Sequence, residues 1–220
     1  MVYSYSFFIF ISVISYILLV MNMDNYIEGS VVIENGAFVF NSVLKGKTVI
    51  KKGSCIENSI INDSIVEEDA MVKSSTISDS EIGRKSTIGP YAHIRLNSII
   101  GDECRIGNFV EIKNSLIGFK TNICHLAYVG DTLCGSGVNF GCGVVIVNYD
   151  GKCKNKTIIG DNVFIGCNSN IIAPIVIKDN AFIASGSTIT DDIDEFGFAI
   201  ARSRQITKAN YSQKYGYKKV

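Results

Sequence analysis

The sequence of 220 residues predicts an all-β chain wound as a left-handed parallel β-helix, on three observations. The composition sets twenty Gly against two Pro with no Trp, and its many Ile, Val, Ser and Asn suit short strands joined by tight corners better than packed amphipathic helices. An aliphatic residue, often followed by Gly, recurs every six positions. That period fits neither the ~3.6-residue stripe of a helix nor the two-residue alternation of a hairpin strand, and describes a short strand plus a corner. Three such units close a triangular coil of about eighteen residues. Coils of this hexapeptide type wind left-handed, against the usual crossover preference, which makes the period specific. A right-handed β-solenoid or a sandwich is set aside on that ground.

The elements follow in chain order. Residues 1–20, MVYSYSFFIFISVISYILLV, carry no charge and reach the ~20-residue length of a membrane-spanning helix. They lack the basic start of a secretory signal and any Lys or Arg to fix an orientation. Residues 1–22 are therefore set apart as an apolar segment, either a membrane helix or a start-site artefact ahead of Met21 and Met23; the silent flanks favour the second. Residues 23–200 are the expected β-helix. Loose copies of the repeat begin near Val32, and regular ones run through Ile82-Gly83, Ile88-Gly89, Ile94, Ile100-Gly101, Ile106-Gly107 and Ile112. After one shorter step they continue through Ile117-Gly118, Ile123, Val129-Gly130, Cys134-Gly135, Phe140-Gly141 and Ile146. An interruption at residues 147–158 contains the basic stretch GKCKNK, and the repeat resumes from Ile159-Gly160 to Ile189. The 27 slots from Val32 to Ile189 make nine coils, with the aliphatic residue pointing inward and Gly or Asn taking the corner dihedrals. Residues 201–220 are a tail whose Lys208, Lys214, Lys218 and Lys219 read as a solvated or cross-subunit strap.

Lys plus Arg and Asp plus Glu balance at 21 each, so no bulk field draws in nucleic acid or anionic lipid, and any anionic ligand must be held locally. Seven cysteines without a CxxC pair, and only two histidines, argue against a structural zinc site, and no metal is expected. An odd, scattered set fits reduced thiols in a cytoplasmic protein, most of them small core or groove fillers.

Stacked coils repeat at ~4.8 Å along the axis, which turns the sequence into a map. Arg95 and Lys113 follow inward aliphatics one coil apart and form a paired cationic patch; like charges so stacked repel unless an anion sits between them. His125, Cys142, Cys167 and Ser185 each lie two residues after an inward residue in four successive coils, so they form one column with His125 at its foot. A column of small side chains beside exposed backbone makes a groove for an extended, amide-containing arm such as pantetheine. The basic loop is expected to leave beside this column and to cover the groove or reach a neighbouring subunit. On slot geometry, Glu111 approaches His125 and orients it. His93 sits at an ordinary repeat position. Cys124 beside His125 reads as inert, because neighbours in a strand point to opposite sides.

From about residue 88 to residue 205 the chain closely resembles the acetyltransferase half of the bacterial bifunctional N-acetylglucosamine-1-phosphate uridyltransferase/glucosamine-1-phosphate acetyltransferases. The stretches that carry the resemblance are IGPYAHIR, RIGNFVEIKNS, HLAYVGD, NFGCG, VNYDGK, TIIGDNVFIGCNS, IAP and IARSRQ. HLAYVGD and NYDGK are more specific than the hexapeptides. The resemblance implies that His125 is the general base, that Arg95 and Lys113 hold the sugar phosphate, and that Tyr128, Asn139 and Lys154 complete its pocket. It also implies that Asn148 and Tyr149 line the reacting centre, and that the Cys142 backbone, Ser185 and Arg202 bind acetyl-coenzyme A. A homotrimer with its active sites between subunits is implied too. The family often places Ala or Ser along the coenzyme groove where this chain has Cys142, Cys167 and Ser185, and a thiol still fits. A Gly-rich LxAGxGTRM-like stretch is absent, so the chain alone is not expected to make a UDP-sugar, and a separate chain would supply uridyl transfer. The family's magnesium belongs to that other half.

An ammonium group cannot attack a thioester until it loses a proton, and imidazole is suited to take one near neutral pH. The function expected is N-acetylation of glucosamine-1-phosphate toward UDP-N-acetylglucosamine and cell-wall precursors. The alternatives are a hexapeptide acetyltransferase with another amine or hydroxyl acceptor, and a non-catalytic remnant of a split gene.

Overall fold

The computed structural model describes residues 25–211; the apolar segment 1–22 and Lys214, Lys218 and Lys219 lie outside them. From Tyr26 to Ala199 the chain is a succession of strands, two to nine residues long, each paired in parallel with its equivalent in the next coil. It is a left-handed parallel β-helix of about ten turns. One face carries nine strands. The other two faces share eighteen, because the long strands Arg105–Lys113 and Asn122–Gly130 run around a corner and serve both. Strands Tyr26–Gly29 and Phe198–Ala199 lie outside the slots counted from Val32 to Ile189 and inside the expected span 23–200.

The repeat works by burial. Ile56, Ile77, Ile94, Ile112, Ile123, Ile165 and Ile183 point into the prism, each fully buried, and each contributes roughly 1.5–3 kcal/mol of apolar transfer. A slip of one residue would turn these side chains out to water, so the pattern pins the register. Small polar residues fill the narrower corners. Ser42, Ser59 and Ser75 form a buried ladder in which each hydroxyl accepts from a backbone N–H one coil on, at 3.1–3.2 Å, while donating to a carbonyl in its own coil at 2.7 Å. That arrangement satisfies groups that would otherwise cost about 1–3 kcal/mol each.

Gly and Asn take corner dihedrals as expected, among them Gly137, Gly143, Gly186 and Asn162, but most glycines of the Ile-Gly steps, Gly89 (φ 100°) excepted, serve another purpose. Gly118 and Gly141 do not take positive φ. A Cβ on Gly118 would sit 2.5 Å from the Gly135 carbonyl carbon, and one on Gly141 would sit 2.5 Å from the Cys167 nitrogen. Glycine stands there because the next coil's backbone passes too close for a side chain. The left-handed dihedrals fall two residues later, often on Asn, Asp or Glu, as at Asn162 (φ 55°), Asn168 (φ 54°) and Glu103 (φ 56°); Asn and Asp tolerate that region best among residues with a Cβ.

Candidate active site

His125 lies where the strand Asn122–Gly130 turns a corner. Its column is set by register: Ile106, Ile123, Phe140, Ile165 and Ile183 pair successively. Two residues beyond each lie Asn108, His125, Cys142, Cys167 and Ser185. Corner hydrogen bonds confirm the stacking, with Gly143 N–H donating to Leu126 O at 2.8 Å, Asn168 N–H to Cys142 O at 2.7 Å, and Gly186 N–H to Cys167 O at 2.8 Å. The Ala199 partner of Ile183 carries the column one coil further, where the Arg202 side chain lies 3.8 Å from the place a Cβ on Gly186 would take. His125, Cys142, Cys167 and Ser185 are all exposed.

The partner of His125 is Asn108. The ring Nδ1 lies 2.9 Å from Asn108 Oδ1. An amide oxygen only accepts, so in the neutral ring this contact puts the hydrogen on Nδ1 and leaves the Nε2 lone pair free. Glu111, expected to orient the imidazole, does not: its carboxylate takes the Arg95 guanidinium, at 2.6 Å from Nη2 and 3.0 Å from Nε. Glu111 pairs in register with Tyr128, three residues past His125 and around the corner. The slot directly beneath His125 belongs to Asn108, and that offset was readable from the sequence.

Arg95 and Lys113 are register partners in adjacent coils, as expected. Their mutual repulsion needs no external anion, however, because each has its own carboxylate. Glu111 serves Arg95, and Asp131 lies 3.1 Å from Lys113 Nζ. Lys113 and Asp131 side chains are only 16% and 7% exposed. Asp131 also accepts from Asn114 Nδ2 at 2.6 Å and from Asn148 Nδ2, and Asn148 Nδ2 lies 3.3 Å from the Tyr128 hydroxyl. Burial pushes the Asp131 carboxyl up, but the hydrogen bonds from Asn114, Lys113 and Asn148 and the Lys113 charge outweigh it and hold it below its ordinary value. Tyr128, Asn148, Asp131 and Lys113 thus form one connected network across three coils. Asp131 is its centre, and the sequence reading gave it no role although it closes the HLAYVGD stretch. Gly130 beneath it leaves room: a Cβ there would meet the Tyr128 hydroxyl at 2.5 Å and Asn148 Nδ2 at 2.6 Å.

The basic loop leaves from this network rather than from the His125 column, one face away from the position expected. It departs after the strand Val145–Val147, whose inward residue comes one slot later than Phe140, and re-enters at Thr157–Ile159. Thr157 N–H donates to Asp131 O at 3.2 Å, and Asn155 N–H to Asn148 O at 2.7 Å. Asp150 organises the loop by accepting from the Lys152 and Cys153 amides at 2.8 Å and from Asn155 Nδ2 at 3.0 Å. The Cys153 amide above all, then Asn155 and the Lys152 amide, hold its carboxyl far below the usual carboxylate range. Lys154 sits over the Tyr149 ring at 4.5 Å, and Lys156 lines a recess with Asn114 and Asp131.

Asn139 stands apart from the network, on the outward side of the strand Asn139–Phe140, three residues before Cys142. His93 is exposed between Thr76 and Glu111 in register, an ordinary repeat position. Beside the His125 column runs a feature absent from the sequence reading. Tyr91, Phe109 and Leu126 occupy successive corners at positive φ and are 62%, 57% and 60% exposed. The Tyr91 and Phe109 rings stack at 5.6 Å. Among the described residues, no group of three or more His, Cys, Asp or Glu gathers as metal ligands would.

Comparisons with known proteins agree with the repeat and the fold. The family described as bacterial transferase hexapeptide (six repeats) matches residues 79–114 and 156–191. The bifunctional protein GlmU of Clostridium novyi is 50% identical over 198 residues, covering 89% of this chain and 43% of that relative. The bifunctional protein GlmU of Acetivibrio thermocellus is 57% identical over 145 residues, 66% of this chain and 32% of the relative. The chain therefore spans less than half the length of the curated relatives it matches. Among solved structures, a Francisella novicida UDP-N-acetylglucosamine acyltransferase superposes with a TM-score of 0.56 at 14% identity, covering 82% of this chain and 66% of that one; that likeness is one of fold.

Proposed function

Because the chain belongs to the bacterial hexapeptide-repeat transferases and is an acyltransferase by family, we propose that it transfers the acetyl group of acetyl-coenzyme A to the amine of glucosamine-1-phosphate. The observation that carries the proposal is the exposed His125, whose Nδ1 is engaged by Asn108 at 2.9 Å and whose Nε2 is therefore free to take a proton. The amine loses that proton to Nε2, its nitrogen forms the bond to the thioester carbonyl carbon, and the carbon–sulfur bond breaks. The departing thiolate takes a proton, and His125 returns to its neutral form.

The column Cys142, Cys167, Ser185 and the overlying Arg202 would receive the pantetheine arm and its phosphates. Arg95 and Lys113 would hold the sugar phosphate, with Tyr128, Asn139, Asn148, Tyr149 and Lys154 around the acceptor. The exposed Tyr91–Phe109–Leu126 ladder beside His125 favours burial against another copy, which supports a homotrimer with its sites between subunits.

The test is coenzyme A release by the full chain on acetyl-coenzyme A and glucosamine-1-phosphate. His125→Ala is expected to lose nearly all turnover. Arg95→Ala and Lys113→Ala are expected to raise KM for the acceptor by roughly 10- to 100-fold, as for a lost charge-assisted hydrogen bond, and to leave KM for acetyl-coenzyme A unchanged. A second reading has one observation in its favour: Glu111 and Asp131 already neutralise the two cations, which suits an unphosphorylated acceptor. Equal kcat/KM for glucosamine and its 1-phosphate would establish it.

A further inference from the structure

We propose that Cys142 and Cys167 form a two-thiol modification site that reacts with low-molecular-weight disulfides and closes into an intramolecular disulfide across adjacent coils. Phe140 and Ile165 are register partners, and both cysteines follow two residues later. Asn168 N–H donates to Cys142 O at 2.7 Å, which fixes the two corners one above the other. Stacked positions lie ~4.8 Å apart, inside the roughly 4.4–6.8 Å range of Cα separations that a disulfide spans. Both are free and exposed. Of the five other cysteines, Cys104 and Cys134 are buried, Cys55 and Cys124 are half-buried, and Cys153 is exposed on the basic loop. The Cys153 thiol donates to Asp150 Oδ2 at 3.2 Å, and that bond to a carboxylate pushes it up, which keeps it from the thiolate form that attacks disulfides.

The chemistry balances with the disulfide as oxidant. One cysteine thiolate attacks a sulfur of the small disulfide, forming a mixed disulfide and expelling one thiolate. The neighbouring cysteine thiolate then attacks the protein-side sulfur, forming the Cys142–Cys167 bond and expelling the second. The two protons lost by the cysteines go to the two released thiolates, so two protein thiols are oxidised and one small disulfide is reduced. The bridge lies in the column above His125. Its consequence for turnover rests on the acyl-donor reading of that column; its formation does not.

The probe is glutathione disulfide, applied to the full chain and followed by intact mass and peptide mapping. The expected product has lost two hydrogens, carries no glutathionyl group, yields a linked Cys142–Cys167 peptide and reverts with dithiothreitol. Cys167→Ser is expected to stop at a single glutathionyl adduct on Cys142, because the resolving thiol is gone. Glutathionyl groups retained on both cysteines at once, or modification confined to Cys153, would overturn the proposal. Acetyl-coenzyme A at ten times its Kd is expected to slow the reaction about tenfold by occupancy. A bridge that forms equally fast with and without it would support the thiol pair and remove the acyl donor from this column.

Discussion

At the residue scale, Asn108 and Asp131 act on residues that the sequence had already marked. Asn108 sets the tautomer of His125 by accepting from Nδ1. Replacing its amide with a carboxylate, in Asn108→Asp, stabilises the imidazolium, so the acid limb of the kcat/KM profile against pH should move to higher pH; a superimposable profile would show that Asn108 does not govern the base. Asp131 compensates the largely buried Lys113. Removing one partner of such a pair costs about 3–5 kcal/mol, so Asp131→Ala should lower the denaturation midpoint markedly, read by urea titration. Its carboxyl is held below the ordinary value, so the stability it contributes is complete above the unfolded carboxylate pKa of ~3.9 and is lost as pH falls through the lower folded value. Asp131→Asn should therefore flatten the acid side of the stability curve.

At the element scale, each coil divides its needs between two kinds of position. The Ile-Gly glycine admits the next backbone, and the residue two later takes the left-handed corner. Gly118→Ala would bring a Cβ to 2.5 Å from the Gly135 carbonyl carbon and is expected to cost about 1–3 kcal/mol as overpacking against a backbone that cannot yield. Asn162→Gly, at a corner with φ 55°, is expected to stay within about 0.5 kcal/mol of wild type. Comparable losses for the two would mean that the neighbouring backbone yields to the added methyl. The loop follows the same logic, since Asp150 and the Asn155–Asn148 bond close it locally before it touches the coil.

At the scale of the whole molecule, the β-helix is a stack in which each coil contacts only its neighbours, so its stability builds up coil by coil. What such a stack leaves uncovered is its outside. The Tyr91–Phe109–Leu126 ladder beside His125 is the contact face of the proposed homotrimer, so light scattering is expected to give a trimer for the 24.0 kDa chain and a monomer for Phe109→Asp, with loss of turnover. A variant that remains trimeric would place the subunit contact elsewhere.

The sequence by itself determined the winding, the inward residues and the alignment of His125, Cys142, Cys167 and Ser185. Those follow from a six-residue repeat of aliphatics, and burial of each aliphatic forces every coil into the same register. Motif stretches also brought Tyr128, Asn148 and Lys113 to attention before their connection could be seen. Only the tertiary structure decided the partners: Asn108 rather than Glu111 for His125, Glu111 for Arg95, Asp131 for Lys113, and the corner from which the basic loop departs. The physical reason is that burial is a property of one residue and recurs along the chain. A hydrogen bond joins two side chains from different coils, and corner offsets and rotamers, absent from any linear pattern, select which two meet.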